Sequence, residues 1–279
     1  MGFDFVAPRL VKVTPSRLAV WRDCRRRYRL TYLDRPAPSR GGAWAHSTLG
    51  AVVHLAMRAL HRAPAARRTP DAAAALVDRH WNGEGFRDAG QERAYRERAR
   101  GWVADYTEQH VVDSPEPLGV EQWVSVATER VVAGGRVDRI DALLRDDRRP
   151  EAVVVDYKTG RRTPTADDAR GSEALALYAV TTARTLRRPC TRVELHHLPT
   201  GEVRAVEHDA AGLRRHVERA EATAVELAVA ADALADGADA EALFPPRTSP
   251  GCSTCDVRRH CPEGRAAAPE LAPWALLAP

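Results

Sequence analysis

The chain contains no apolar run long enough to cross a bilayer, since a transmembrane helix needs about 20 consecutive apolar residues. Its first residues, MGFDFVAPRLVKV, also lack the apolar stretch of a secretory signal peptide. Cysteine is scarce, because five in 279 residues are too few for the disulfide framework of a secreted domain. We therefore exclude a membrane span and a disulfide scaffold, and we expect a cytoplasmic protein without a membrane partner.

Lysine is almost missing from the sequence. Lys12 and Lys158 are the only lysines, and arginine supplies the rest of the 42 basic residues. A lysine that persists in such a background is expected to do what arginine cannot, because an ammonium is a compact charge whose pKa moves readily. Lys158 lies in the segment VVVDYKTG and is singled out for this reason. The net charge of +4 is compatible with a nucleic-acid partner but does not itself indicate one.

Hydrophobic periodicity predicts helices first and then a mixed α/β core. The spacing of apolar residues from Leu49 to Leu60 is that of one buried helix face. A helix over 166–184 and a long amphipathic helix over 210–234 are also predicted. Segments rich in valine and isoleucine predict strands at 120–127, 130–144, 152–158, 192–198 and 203–207.

With 44% hydrophobic residues, the chain can bury the core of one large domain, which we expect to span residues 1–279. Its expected parts are a helical N-terminal part (15–110), an α/β core (117–208), a C-terminal helix with a cysteine loop (209–263) and a loosely held tail (264–279).

The segments GRVD, ending at Asp138, and VVVDYKTG carry candidate chemistry. Residues two apart on a strand share a face, so Asp156 and Lys158 project together, and a neighbouring strand can bring Asp138 alongside. Buried carboxylates are costly unless a cation offsets their charge. Oxygen ligands of this kind suit Mg²⁺ or Mn²⁺, which can activate a phosphodiester and water. The alternative is that both aspartates are exposed strand-end residues paired with arginines.

In order and spacing, GRVDRID followed by VVVDYKTG resembles the RecB-like branch of the PD-(D/E)XK nucleases. The resemblance implies a restriction-endonuclease-like α/β core with a mixed central sheet, flanking helices and an N-terminal helical region. It implies a DNA nuclease that uses Mg²⁺ or Mn²⁺, expected to be an exonuclease acting on single-stranded ends in repair, recombination or defence.

The same resemblance assigns the site residues. The helix segment GAVVHLAMRAL supplies a histidine, VEQWV an acidic residue and GSEALALYAV a tyrosine. The implied metal ligands are His54, Asp138, Asp156 and the Tyr157 carbonyl. The implied catalytic residues are Lys158, Asp156, Asp138, Glu121 and Tyr178. Considered alone, His54 could instead be a packed helix-edge residue and Glu121 an ordinary surface glutamate.

One position departs from the family pattern. The glutamine expected four residues before Tyr178 is Ala174, and Glu173 lies one residue earlier, about 100° around the helix. This departure puts substrate positioning in doubt more than metal binding. It leaves open a non-catalytic DNA-binding subunit of a repair complex that keeps the fold.

Cys252, Cys255 and Cys261 lie in a short proline-flanked loop, and Cys24 lies far upstream. Three cysteines cannot complete four thiolate ligands, so Cys24 is the natural fourth. The arrangement is similar to that of iron–sulfur RecB-like nucleases, including the AddB nuclease domain and CRISPR-adaptation nucleases, and implies a [4Fe-4S] cluster. Four thiolates, or three with His260, would also form a structural Zn²⁺ site, so zinc remains an alternative.

Arginines flank these cysteines, with Arg25 and Arg26 beside Cys24 and Arg258 and Arg259 beside Cys261. A cluster would bring them together as a basic surface that can follow a DNA backbone, whereas the alternative is an ordinary solvated face. No G-x-x-x-x-G-K-[ST] phosphate loop is present, so a helicase or repair partner, or a free end, would have to supply single-stranded DNA.

The fifth cysteine, Cys190, is expected to be a buried apolar residue. A third kind of function, a zinc-stabilised interaction module with no nucleic-acid role, would require the D-x-K pattern to be accidental.

Overall fold

The structure is a computed structural model that describes residues 11–128, 131–144 and 150–277. Within these ranges it contains a six-stranded mixed sheet with the order β1-β3-β4-β5-β6, in which β2 also pairs with β3. Two pairs, β1–β3 and β4–β5, are parallel, and the others are antiparallel. The strands are β1 (Val11–Val13), β2 (Gly119–Ala127), β3 (Val131–Leu143), β4 (Glu151–Lys158), β5 (Arg192–His197) and β6 (Glu202–Glu207).

Helices cover both faces of this sheet, which confirms the expected mixed α/β class. None of the helices in the described ranges is long and apolar enough to cross a membrane. The helices are α1 (Pro15–Asp23), α2 (Arg25–Tyr28), α3 (Ala45–Arg62), α4 (Pro70–His80), α5 (Ala89–His110), α6 (Ala166–Gly171), α7 (Glu173–Leu186), α8 (Ala210–Ala235), α9 (Ala240–Leu243) and α10 (Pro262–Ala267).

Strand β4 lies at the centre of the hydrophobic core, and its side chains alternate between the two faces of the sheet. Val153 and Val155 pack with helices α3, α4 and α5, whereas Val154 packs with α7. Burial on both faces explains why the segment EAVVVDYK is an almost continuous apolar run before its polar end. The core therefore fixes the strand that ends in Asp156 and Lys158.

One helix differs from the sequence prediction. The helix predicted over 166–184 is divided into α6 and α7 at Ser172, whose side chain accepts a hydrogen bond from the Leu175 N–H and caps α7. Near the N-terminus, Cys24 has extended backbone geometry and separates α1 from α2. The three-residue strand β1 was not predicted.

The N-terminal and C-terminal segments are packed together. The side chain of Arg26 forms ion pairs with Glu263, at 2.9 Å, and with Glu241. Phe244, just after α9, is fully buried and packs edge-on against Trp21 of α1, with ring centroids 5.8 Å apart. The two ends thus share a hydrophobic cluster as well as ion pairs.

The described part of the C-terminal tail, as far as Leu277, packs on the core, whereas a loosely held tail was expected. The Ala45 N–H donates a hydrogen bond to the Pro273 carbonyl at 3.1 Å, and Leu277 is buried in the same core cluster as α3. The tail packs because its apolar residues complete the cover of α3.

The buried ring of Phe244 provides a test of this end-to-end packing. Phe244→Ala should lower the free energy of unfolding by about 3 to 5 kcal/mol, because a fully buried aromatic side chain leaves a cavity. Val229→Ala on α8 is the control, since Val229 is 65% exposed. Urea unfolding followed by circular dichroism measures both. Equal midpoints for the two variants would contradict a role for the C-terminal segment in the cooperative fold.

Candidate active site

Two aspartates lie where strands β3 and β4 stop pairing. The paired register runs from Leu143–Glu151 to Arg139–Val155 and ends one residue before Asp138 and Asp156. Beyond that point the Asp138 carboxylate accepts a hydrogen bond from the Tyr157 N–H at 3.0 Å. A side chain therefore replaces the next backbone bond, and the two acids lie at the same end of the sheet.

A third acid, Glu121, lies on β2 with an unusual backbone. The pairs Val120–Arg139 and Gln122–Val137 flank it, so Glu121 is opposite Asp138 at an interruption of the ladder. Its φ of 51° is in the left-handed region, which a non-glycine residue adopts at a steric cost. Strain of this kind is concentrated at functional sites, where surrounding contacts maintain it.

Helix α3 brings His54 to these acids. Its Nδ1 atom is 3.3 Å from Asp138 Oδ1, and its ring packs edge-on against Tyr157. His54, Glu121 and Asp138 each offer a ligand atom, and the three atoms lie within 4.8 Å of one another. One nitrogen and two carboxylate oxygens form a donor set that fits Mn²⁺ or Mg²⁺.

Asp156 lies beside this set rather than within it in the described part of the chain. Its Oδ2 atom is 2.5 Å from the Lys158 Nζ, whose side chain is 46% exposed. Burial raises the pKa of Asp156, and the charge of Asp138 adds to this, while Lys158 acts in the opposite direction. The lysine therefore balances part of the carboxylate charge and still reaches solvent.

The site carries an excess of negative charge, and the pKa of His54 is shifted as a result. Burial lowers its pKa, but the hydrogen bond to Asp138 and the charges of Asp138, Asp156 and Glu121 outweigh burial, and the pKa is raised. A cation is thus stabilised at this point, and a metal bound there would replace the proton.

Tyr178 of α7 forms one wall of the site. A Cβ atom at Gly135 of β3 would lie 2.6 Å from Tyr178 Cε1, so the absence of a side chain lets the ring lie on the strand. Burial, together with the charges of Asp156, Asp138 and Glu121, raises the pKa of Tyr178 to about 12. Its hydroxyl consequently stays protonated and can donate a hydrogen bond.

At the position where the family pattern has a glutamine, this chain has no polar side chain. Ala174 lies one turn before Tyr178 on α7 and is half-buried. Glu173 forms an ion pair with Arg22 of α1. That contact engages one carboxylate oxygen of Glu173, while the other oxygen is buried without a hydrogen-bond partner.

Sequence reasoning missed Arg139, which is buried next to Asp138. Its guanidinium donates to the hydroxyls of Tyr157, at 2.9 Å, and Tyr106, and pairs with Asp141. Burial and the charge of Arg139 lower the pKa of its neighbour His61 to about 3, so this histidine is neutral. The signal available in the sequence was an arginine between two aspartates in the strand segment GRVDRIDAL. The network fixes the ring of Tyr157, the middle residue of D-Y-K.

The four cysteines at the two ends of the chain line a single pocket. Cys24 Sγ accepts hydrogen bonds from the Arg27 and Arg247 N–H groups, and other backbone N–H groups contact the remaining three sulfurs. A Cβ atom at Gly264 would lie 3.3 Å from Cys261 Sγ and 3.6 Å from Cys252 Sγ. All four thiols are free, and the glycine leaves room between them.

His260 and Cys190 lie apart from this pocket. The His260 Nε2 atom is 2.9 Å from the Ser39 carbonyl oxygen, and the residue does not line the pocket. Cys190 is buried in the apolar core, as expected, and burial raises its pKa to about 12.

The predicted basic surface is only partly exposed. Arg26 is buried between acids, and Arg258 donates to the carbonyls of Cys252, Gly264, Arg265 and Ala268, so neither guanidinium is presented to a ligand as expected. Arg25 packs on Trp21 and pairs with exposed Glu226, while Arg259 is exposed. Arg26 and Arg258, which lie next to cysteines in the sequence, therefore stabilise the packing of the cysteine loop.

A mixed sheet whose central strands end in carboxylates and a lysine offers the groups that metal-dependent phosphodiester hydrolysis uses. The family model for the PD-(D/E)XK nuclease superfamily matches residues 12–262. The chain belongs to the PD-(D/E)XK nuclease superfamily, a family of metal-dependent nucleases, and its sheet and acidic site agree with that membership. Comparison with curated proteins gave no match.

The left-handed backbone of Glu121 yields a paired prediction. Glu121→Ala and Glu121→Gly both remove the carboxylate, but only glycine adopts this φ without a steric cost. Glu121→Gly should therefore be about 1 kcal/mol more stable than Glu121→Ala. Both variants should bind Mn²⁺ at least about tenfold more weakly than wild type, because even outer-sphere changes cost that much. Chemical denaturation and calorimetric Mn²⁺ titration test these values. An alanine variant as stable as the glycine variant would show that the backbone is not strained.

Proposed function

We propose that this chain is a RecB-like deoxyribonuclease that cleaves single-stranded DNA from free ends. The observation that carries the proposal is the convergence of His54, Glu121 and Asp138 beside the Asp156–Lys158 pair. The three-residue set would hold the metal, with Asp156 and the Tyr157 carbonyl as further ligands. When bound, Mg²⁺ or Mn²⁺ would polarise the phosphodiester and lower the pKa of a water molecule.

The remaining residues act on the substrate and on the attacking water. Lys158 lies at the edge of the site with its ammonium next to Asp156, so it orients the water and stabilises the charge that develops on the phosphate. Tyr178 keeps its proton and donates a hydrogen bond to a phosphate oxygen. Exposed Arg25 and Arg259 follow the backbone farther away. We infer action in the cytoplasm with a helicase or repair partner, in repair, recombination or defence.

The alternative function is a non-catalytic DNA-binding subunit. It is favoured by Ala174, where the family pattern has glutamine, and by the engagement of Glu173 with Arg22. Such a subunit would bind single strands in the presence of metal without cleaving them.

The lysine decides between these functions. Lys158→Ala should lower cleavage of a labelled single strand by about 10²- to 10⁴-fold with Mn²⁺ binding largely retained. Lys158→Arg should not rescue cleavage, because a guanidinium is larger, planar and permanently protonated. Asp156→Asn should also abolish cleavage, but with weaker metal binding.

Lys12→Arg on β1 is the matched control, because it makes the same replacement at the only other lysine. The measurements are cleavage rates on end-labelled oligonucleotides and Mn²⁺ titration of each variant. Full activity in Lys158→Arg would refute the role of the lysine, and an inactive wild type that binds DNA would favour the subunit.

We further propose a [4Fe-4S] cluster on Cys24, Cys252, Cys255 and Cys261. The four cysteines line one pocket, and backbone N–H groups contact each of their sulfurs. Such N–H groups suit the negative charge of a thiolate-bound cluster. Four thiolates would also hold a single zinc ion, so metal and sulfide analysis distinguishes the two.

The cluster proposal is tested on the most distant cysteine. Cys24→Ala should lose iron and sulfide and lower the melting temperature. As a cluster ligand, Cys24 would join segments more than 200 residues apart, and a crosslink of that length is nominally worth about 5 kcal/mol. Cys190→Ala should retain iron, since Cys190 lies in the apolar core. Iron, sulfide and zinc analysis of anaerobically purified protein, with its visible spectrum, gives the answer. Zinc without sulfide in the wild type would overturn the cluster.

A further inference from the structure

Strand β2 carries an exposed tryptophan next to the metal site. Trp123 is 57% exposed, and it lies two residues after Glu121, a distance of about 7 Å along a strand. Among the described residues, it is the one aromatic side chain of the large exposed hydrophobic set. Its position beside the candidate metal site, and not its exposure alone, indicates that Trp123 has a function.

The surroundings of Trp123 form an open platform. A Cβ atom at Gly134 would lie 3.0 Å from Trp123 Cζ2 and 3.2 Å from Ser125 Cβ, so the indole lies against a strand position that has no side chain. Arg136 is directly opposite Trp123 in the β2–β3 register, and its side chain is 58% exposed.

The platform is connected to the active site by charge. The Arg136 guanidinium is 3.7 Å from the Glu121 carboxylate, a distance that leaves most of its hydrogen-bonding capacity for another anion. Proteins bind single-stranded nucleic acid by stacking bases on an aromatic ring and by contacting phosphates with basic side chains. The β2–β3 face offers a ring and a guanidinium for this purpose, next to the candidate metal site.

Strand addition by another protein is disfavoured at this edge. The hydroxyl of Thr185 on α7 accepts a hydrogen bond from the Ser125 N–H and donates to the Ser125 carbonyl. These bonds occupy the N–H and the carbonyl of Ser125, which lies in the middle of the edge that an added strand would use. The face of the hairpin, rather than its edge, is therefore the interaction surface.

We propose that Trp123 stacks on a base next to the scissile phosphate and that Arg136 contacts the adjoining phosphate, which makes the β2–β3 face a single-strand binding platform. This inference rests on the proposed nuclease function and deepens it, since it explains a preference for unpaired bases. Stacking needs a base whose face is free, whereas both faces are covered within a duplex.

The experiment combines protein variants with altered DNA. Trp123→Ala should raise the KM for a single-stranded oligonucleotide by roughly 5- to 150-fold, from a stacking contribution of about 1 to 3 kcal/mol per base. The kcat should stay nearly constant, because stacking holds substrate and transition state alike. Trp123→Phe should retain most of the affinity. Val229→Ala, at another exposed apolar residue, should have no effect.

A series of oligonucleotides, each with a single abasic nucleotide, locates the stacked base without any protein variant. One abasic position should weaken wild type by a similar factor and have little further effect on Trp123→Ala. Unchanged KM in Trp123→Ala, or equal loss at every abasic position in both proteins, would overturn the platform while leaving the nuclease proposal intact.

Binding measured by fluorescence anisotropy separates the two proposals. A wild type that binds single strands through Trp123 but never cleaves them would overturn the nuclease function alone. A wild type that neither binds nor cleaves single-stranded DNA would overturn both. A Trp123→Ala variant that changes only the oligomeric state, measured by light scattering, would show that the surface contacts protein and would also overturn the platform.

Discussion

The hydrogen bond from the Tyr157 N–H to the Asp138 carboxylate organises the acidic end of the sheet. It takes the place of a backbone ladder bond, so β3 and β4 separate where their polar residues begin. The separation lets His54 approach from α3 on one side and Tyr178 lie against Gly135 on the other. Strained Glu121 then completes the acidic set from β2, and the buried Arg139 network holds the ring of Tyr157.

Much of this arrangement could be predicted from the sequence, because the strands and long helices have strong periodicity and Asp156 and Lys158 alternate with a buried residue. The left-handed backbone of Glu121 could not, since it results from tertiary contacts and leaves no mark in residue type. Arg139 was missed because its partners come from three separate elements. Arg26 and Arg258 were misjudged for the same reason, as their acidic and carbonyl partners are brought close only by folding.

The acidic site and the cysteine pocket differ in how their charges are balanced. At the sheet end, carboxylates lie close together and their charges are incompletely balanced. This arrangement favours the binding of a cation but destabilises the folded protein. At the joined chain ends, charges are neutralised: Arg27 pairs with Asp256 at 3.0 Å, and Arg26 with two glutamates. Since α1 contacts α7 through Arg22 and Glu173, the joined ends also support the helix that carries Tyr178.

The burial of Cys190 has a consequence for the thiol chemistry of the chain. Its raised pKa, about 12, leaves a negligible thiolate fraction at neutral pH, and thiolate is the form that alkylating reagents attack. Any rapid alkylation of the folded protein therefore originates from the four thiols of the terminal pocket. Burial also raises the pKa values of Cys255 and Cys261, so these two thiols react slowly even when they are released. Protection of all four sulfurs from alkylation would show that the pocket is filled.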